Sequence, residues 1–172
     1  MLSKDPDYEW TFIDGSIVKA HQHSTGAIHG EETAIGRSVA GNSTKIHLAV
    51  DAMGFPIRFI ITGGEVHDSK EAQNLINKIP ELEILIADKG YDSDLLREVV
   101  KKNGVTSHIP RKNNSKTGNN KMDWCLYKYR HLVENAFARL KHFRSIATRY
   151  EKLKRNYEGM LYLACSIMWL PM

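Results

Sequence analysis

The pattern of apolar and polar positions marks strands in the first half of the chain and helices in the second. Glu9 to Ser16 (EWTFIDGS) alternates in character and closes on a Gly turn, which predicts a strand with Asp14 at its C-terminal end. Lys45–Asp51 (KIHLAVD) and Phe55–Thr62 (FPIRFIIT) flank the turn Ala52-Met53-Gly54 and predict a hairpin. Behind Asp68-Ser69, the helical spacing of Ala72, Leu75, Ile76 and Ile79 predicts a helix over Ser69–Lys78. Leu82–Ala87 (LEILIA) is apolar almost throughout, as a central strand covered on both faces would be, and it ends at Asp88. Asp92-Ser93 predicts the cap of a helix reaching about Lys102, stopped by Asn103-Gly104. Val105–Pro110 reads as a short fifth strand at an edge. His21 to Ser43, rich in Gly, Ser, Thr and His, has no period and reads as a long loop. A long helix is expected from about Met122 through the Arg149 region, with a last helix behind it. The apolar tail Met160–Met172 is too short to span a bilayer and reads as a buried helix, ahead of a partner surface.

The order is β-β-β-α-β-α-β-α. It predicts an α/β fold with a mixed five-stranded sheet, three antiparallel strands and then parallel ones, flanked by helices. Setting the fourth strand beside the first brings Asp14 and Asp88 to neighbouring strand ends, where ligands bind in open α/β sheets. This is the order of the ribonuclease H-like fold. The 172 residues suit one domain, with a core over about 9–150 and a helical extension over about 151–172.

The long helix carries the sharpest signal. At about 100° per residue, Arg130, Glu134 and Lys141 fall within roughly 60° of Tyr127. Leu132, Val133, Ala136, Leu140, Phe143 and Ala147 occupy the opposite face. One carboxylate in a helix otherwise loaded with Lys and Arg is thus presented away from the core. The bland alternative is a solvated face with incidental pairing between turns.

Charge sharpens this picture. Residues 1–96 hold 8 Lys/Arg against 15 Asp/Glu, and residues 97–172 hold 16 against 5. An acidic half beside a basic half suits a protein that holds metal ions with one part and phosphates with the other. An apolar fraction of 42% with 26% charged residues argues against disorder over most of the length. Cys125 and Cys165 stand far apart and read as two reduced buried thiols, as in a cytoplasmic protein. His21 and His23 make only a weak candidate for zinc.

Tyr127, Arg130, Glu134 and Lys141, with their spacing, resemble the Y-R-E-K motif of DDE transposases from the insertion-sequence families numbered four and five. The segment Ala87-Asp88-Lys89-Gly90-Tyr91-Asp92 resembles the family's region around its second aspartate, and Phe12-Ile13-Asp14-Gly15-Ser16 its first. The likeness runs over roughly residues 9 to 170 and is closest to the second-reading-frame type of family five. It implies Asp14, Asp88 and Glu134 as catalytic metal ligands, with Asp14 shared between two Mg²⁺ ions, for which Mn²⁺ substitutes. It implies contacts to DNA from Tyr127, Arg130 and Lys141. Arg111, Lys112, Lys116 and Lys121, in the basic loop Arg111–Lys121, are candidates to grip flanking DNA without reading sequence.

Three carboxylates without His or Cys suit Mg²⁺, which prefers oxygen ligands. The implied reaction is cleavage at the ends of a mobile element and strand transfer into target DNA. The implied partners are double-stranded DNA, a second copy on that DNA and no membrane. Only 13 residues precede Asp14, so an N-terminal DNA-binding domain is expected to be absent and to come from an upstream-frame protein. Two alternatives stand beside this: a plain metal-dependent nuclease of the same fold, and an inactive DNA-binding remnant or regulator. Asp51, at a hairpin turn, and Asp92, expected to cap a helix, are the decoys for the second carboxylate. His67-Asp68 is expected near the site without being part of it.

Overall fold

The computed structural model describes residues 6–26, 32–39, 41–77, 79–113, 115 and 118–170. Its strands are β1 (Trp10–Ala20), β2 (Gly36–Ser38), β3 (Gly41–Val50), β4 (Pro56–Gly63), β5 (Ile84–Ala87), β6 (Thr106–His108) and β7 (Thr148–Arg149). Its helices are α1 (Asp68–Ile76), α2 (Asp94–Lys102), α3 (Trp124–Tyr127), α4 (His131–Lys141), α5 (Arg144–Ala147) and α6 (Lys154–Met168). Short 3-10 turns cover Gln22–Ser24, Lys89–Tyr91 and Lys128–Arg130.

The sheet has seven strands rather than five, in the order β2-β3-β1-β5-β6, with β4 also paired to β3 and β7 to β1. The lanes are still five. Because β1 occupies one edge of β3, β2 and β4 share the other. β5 and β7 likewise share the far edge of β1. As expected, β1, β3 and β4 are antiparallel, β5 and β6 join in parallel, and β6 is at the edge.

Side chains alternate across the sheet with the period of two that strands impose. Phe12, Leu48 and Ile86 point to one face and pack with Val133, Ala136, Phe137 and Leu140 of α4 and Tyr157 and Leu161 of α6. Ile13, Ala49, Leu85 and Ala87 point to the other and meet Ala72 and Leu75 of α1 and Leu96 and Val100 of α2. The result is three layers, with helices on both faces of the sheet.

Five expectations need correction. β1 does not end at Ser16: Ser16–Lys19 continue to pair with β3, so Asp14 lies within the strand. The stretch from His21 to Ser43 is not all loop, since β2 and the first residues of β3 fall in it. The single long helix is broken. Lys128–Arg130 tighten into a 3-10 turn, which advances about 120° per residue rather than 100°. Phe143 then turns extended (φ −78°, ψ 112°), so that Thr148 and Arg149 pair with Lys19 and Ala20. Tertiary pairing overrides helical propensity there. Finally, α6 is buried on one face only: Tyr157, Leu161 and Cys165 pack inward, while Tyr162, Leu163 and Ile167 are exposed, and Cys125 is exposed as well. Among the described residues, no helix is long and apolar enough to cross a membrane.

Candidate active site

Parallel pairing of Ile13 with Ala87 sets Asp14 and Asp88 one residue beyond the last rung of the β1–β5 ladder. Asp14 follows Phe12 by two positions and Asp88 follows Ile86 by two, so both carboxylates start on the face covered by α4. Asp14 Oδ1 accepts the Gly15 N–H at 2.8 Å. Asp88 Oδ1 accepts the Gly90 N–H at 2.7 Å and so caps the Lys89–Tyr91 turn. A Cβ at Gly90 would lie 2.8 Å from that oxygen, which explains the glycine: the carboxylate folds back onto bare backbone. Burial raises the Asp14 pKa above the ordinary carboxylate value; the Gly15 N–H and Arg130 oppose the shift, and the negative charges of Asp88 and Asp68 add to it.

The 3-10 turn before α4 brings Arg130 over these strand ends. Its Nη1 donates to Asp14 Oδ2 at 3.0 Å, and its Nη2 pairs with Glu134 Oε1. The guanidinium thus bridges Asp14 and Glu134. Among the described residues, no three His, Cys, Asp or Glu side chains are gathered closely enough to hold an ion between them. A cation already stands between two of the three carboxylates, and all are oxygen donors. The donor set therefore fits an oxygen-seeking divalent ion once the guanidinium gives way. Tyr127 is half-buried beside Arg130, and burial raises its phenol pKa against the opposing charge of Arg130. Lys141 is exposed near the end of α4, two turns beyond Glu134, and does not reach the carboxylates.

The basic loop is anchored at its root. Asp92 does not cap α2, whose N-cap is Ser93. Instead Asp92 Oδ1 accepts from Arg97 at 2.8 Å and Arg111 at 3.4 Å, and its Oδ2 accepts the Lys112 N–H at 2.9 Å. These partners hold the Asp92 pKa down against its burial. Arg111 also pairs with Asp94 at 2.8 Å, so it is engaged within the protein. Lys112 is exposed and shares a shallow cleft of about 430 Å³ with Lys89, Gly90 and Asn113, next to the Asp88 turn. Lys121 is exposed, and Lys116 lies outside the described residues.

The other candidates fall to local roles. Asp51 is buried and accepts the Met53 and Phe55 N–H groups at 3.0 and 2.8 Å, fixing the β3–β4 turn. His21 stacks on Tyr150, its Nδ1 accepts the His23 N–H and its ring lies 4.9 Å from that of His23, but among the described residues no third metal-ligating side chain joins the pair. His67 caps α1 through Ser69, whereas Asp68 lies against Gly15, as expected of that segment. Sequence reasoning missed Lys45, His47 and Tyr91, which surround Asp68. A Lys and a His inside an otherwise apolar strand, KIHLAVD, were the available signal.

Comparison with known proteins gives the family. A family model described as "Transposase DDE domain" matches residues 5–169. The chain is 37% identical over 128 residues to the transposase attributed to insertion sequence element IS6501 of Brucella ovis, covering 74% of this chain and 98% of that protein. It is 31% identical over 136 residues to the transposase attributed to element IS402 of Burkholderia cepacia, covering 73% of this chain but 62% of that protein. In structure it resembles a chain of the simian T-cell lymphotropic virus intasome at a TM-score of 0.55 and 12% identity, over 93% of this chain and 48% of the other. It also resembles the piggyBac transposase of a synaptic complex with hairpin DNA, at 0.55 and 11% identity, over 94% and 46%. The mixed sheet flanked by helices is ribonuclease H-like, and the chain belongs to the transposase DDE domain family.

Proposed function

We propose that this chain is the catalytic domain of an insertion-sequence transposase of the Y-R-E-K type, close to family five. In this reading it cuts DNA at the element's ends and joins the freed strand to target DNA. The observation that carries this is the convergence of Asp14, Asp88 and the Arg130–Glu134 helix turn at one end of the β1–β5 ladder. Asp14, Asp88 and Glu134 would hold two Mg²⁺ ions, which supply charge neutralisation and activation of the attacking oxygen when bound, with Mn²⁺ substituting.

Water breaks the P–O bond at the element's end and leaves a 3′-hydroxyl. That hydroxyl attacks a target phosphodiester, forming one P–O bond as another breaks. No protein nucleophile is required, so Tyr127 serves to hold Arg130. Arg130 offers a planar fork that suits a phosphate as well as it suits carboxylates. Lys112 and Lys141, both exposed, contact the DNA backbone. Arg111 acts mainly by anchoring the loop that carries Lys112. Joining two ends implies two copies on the DNA, and an upstream-frame protein would supply recognition of the ends.

The test is cleavage of a labelled duplex carrying an element end by wild type and Asp88→Ala, with Mg²⁺, Mn²⁺ or EDTA. Metal-dependent cutting that the variant lacks, together with joined products, is the expected result. Cutting without joining identifies a nuclease. No cutting by folded protein, with or without the upstream-frame protein, identifies an inactive remnant.

Arg130 gives a second expectation. Because its guanidinium stands between two ligands, Arg130→Gln should tighten Mn²⁺ binding roughly 5-fold, the equivalent of the ~1 kcal/mol of a good exposed ion pair. It should also weaken DNA binding and lower the salt slope by about one. Calorimetric Mn²⁺ titration checks the first effect, and unchanged affinity would show that the guanidinium does not compete.

A further inference from the structure

On the face of the sheet turned away from Asp14, Asp68 and Tyr91 meet at Gly15, and His47 stands beside Asp68. Tyr91 is 1% exposed, and its hydroxyl makes no hydrogen bond among the described residues. His47 is fully buried: Nε2 pairs with Thr62 Oγ1 at 2.9 Å, while Nδ1 makes no hydrogen bond and lies 3.6 Å from Asp68 Oδ1. Asp68 Oδ1 is also buried without a hydrogen bond. Lys45 Nζ stands 3.3 Å from it but donates to the Val66 carbonyl at 2.7 Å. A Cβ on Gly15 would lie 2.3 Å from Asp68 Oδ1 and 3.5 Å from Tyr91 Oη. Asp68 and Tyr91 therefore crowd onto one point of the strand that carries Asp14, with His47 against Asp68.

The Tyr91 hydroxyl and His47 Nδ1, buried without a hydrogen bond, each work against folding. Phe at 91 and Leu at 47 would fill similar space without that cost, so packing alone does not account for the cluster. Gly15 connects it to the site. Its N–H holds Asp14 Oδ1 at 2.8 Å, and its opposite side is pressed by Asp68 and Tyr91. The electrostatics agree. Burial leads in raising the pKa of both Asp14 and Tyr91, and the charge of Asp68 adds to each.

We infer that Tyr91 and Asp68, with His47 backing Asp68, are positioning residues for Asp14, clamping the Gly15 peptide from behind so that its N–H orients the carboxylate toward a divalent cation. The inference rests on the metal-dependent reading above. Outer partners of metal ligands are typically worth about 10–100-fold in affinity or activity. The cluster reaches Asp14 through one peptide, so the lower end of that range is expected.

The test uses the full chain with Mn²⁺ as the probe, read by electron paramagnetic resonance of the free ion and by thermal unfolding. Tyr91→Phe and Asp68→Asn should each raise the Mn²⁺ concentration for half-saturation about 10-fold, with Tm unchanged or raised. In an Asp14→Asn background neither change should have a further effect. A purely structural role would instead lower Tm and leave Mn²⁺ affinity intact below the transition. Wild-type affinity in both variants, beside a wild type whose Mn²⁺ binding Asp14→Ala removes, overturns this inference alone. A folded wild type that binds no Mn²⁺ overturns the carboxylate reading and the inference with it. Should Tyr91→Phe fail to fold, Asp68→Asn, partly exposed at the start of α1, decides the matter.

Discussion

Alanine at Asp14, Asp88 or Glu134 is expected to reduce metal-dependent cutting by on the order of 10³-fold or more, the rate equivalent of the several kcal/mol a metal site contributes. The fold should survive each change, for reasons that differ by residue. Glu134 is 51% exposed and, among the described residues, is engaged with Arg130 alone. Asp88→Ala removes the cap on a single 3-10 turn, a loss of about 1 kcal/mol. Asp14 works against folding when ionised. Its folded pKa is raised, so the stability it contributes is present below the unfolded value and lost as pH rises through the folded one. In metal-free buffer at neutral pH, Asp14→Asn should therefore be at least as stable as wild type. Because the three act as one unit, a double variant should be hardly slower than a single one. Cleavage and thermal unfolding measured on the same preparations separate the outcomes. Any single variant that cuts at the wild-type rate loses its place in the site, and any that unfolds early says nothing about chemistry.

Most of the site's frame was legible because it depends on periodicity. LEILIA could only be a covered central strand, and its pairing with the strand before Asp14 follows from the order of elements. The face carrying Glu134 was legible from helical spacing, and Arg130 does meet Glu134 one turn away. What the pattern missed were effects of tertiary contact. The 3-10 turn at Lys128–Arg130 and the break at Phe143 have no local signature strong enough to announce them. Asp92 looks like a cap in sequence because Asp before a helix usually is one. Its partners Arg97 and Arg111 come from α2 and from the loop after β6, and only the fold brings them in.

Charge shows the same division between what sequence and structure each reveal. The basic half suggests a surface for phosphates, and Lys112, Lys121 and Lys141 are exposed. Arg97 and Arg111, however, turn toward Asp92, and Arg130 spans two carboxylates. Part of the excess positive charge therefore neutralises the acidic half from within. On the proposed function, the surface left for phosphates is smaller than the count of Lys and Arg suggests, and it centres on lysines.

Arg149 is the extreme case, and its replacement should be the most damaging in the chain to stability. In sequence it is one more cation in a basic stretch; in the structure it is fully buried. Its five donors reach five acceptors: Nε to the Glu151 carbonyl, Nη1 to the Ala34 carbonyl and Thr44 Oγ1, and Nη2 to the Thr33 and Lys152 carbonyls, at 2.6 to 3.2 Å. Its guanidinium also lies 5.0 Å over the Tyr157 ring. It thus fastens the chain before β2 to the turn before α6, while its own backbone extends the sheet beside Ala20. Burial lowers its pKa, yet no carboxylate pairs with it among the described residues, so neutral acceptors carry the whole load. Arg149→Met keeps much of the volume but leaves the Thr33, Glu151 and Lys152 carbonyls unbonded, while Thr44 Oγ1 and the Ala34 carbonyl keep only their bond to each other. At about 1–3 kcal/mol each, the loss is on the order of 5 kcal/mol or more, comparable with the stability of a whole domain. The protein should be largely unfolded at 25 °C. Arg149→Lys keeps the charge but offers three donors without a planar fork. It strands about two acceptors, a loss of roughly 2–4 kcal/mol that should lower Tm by about 5–15 °C. Circular dichroism melts of the two variants check this ranking. A wild-type Tm for Arg149→Met, accompanied by weakened DNA binding, would mean that the side chain leaves the interior to reach phosphate, and the buried arrangement would then not be the one that works.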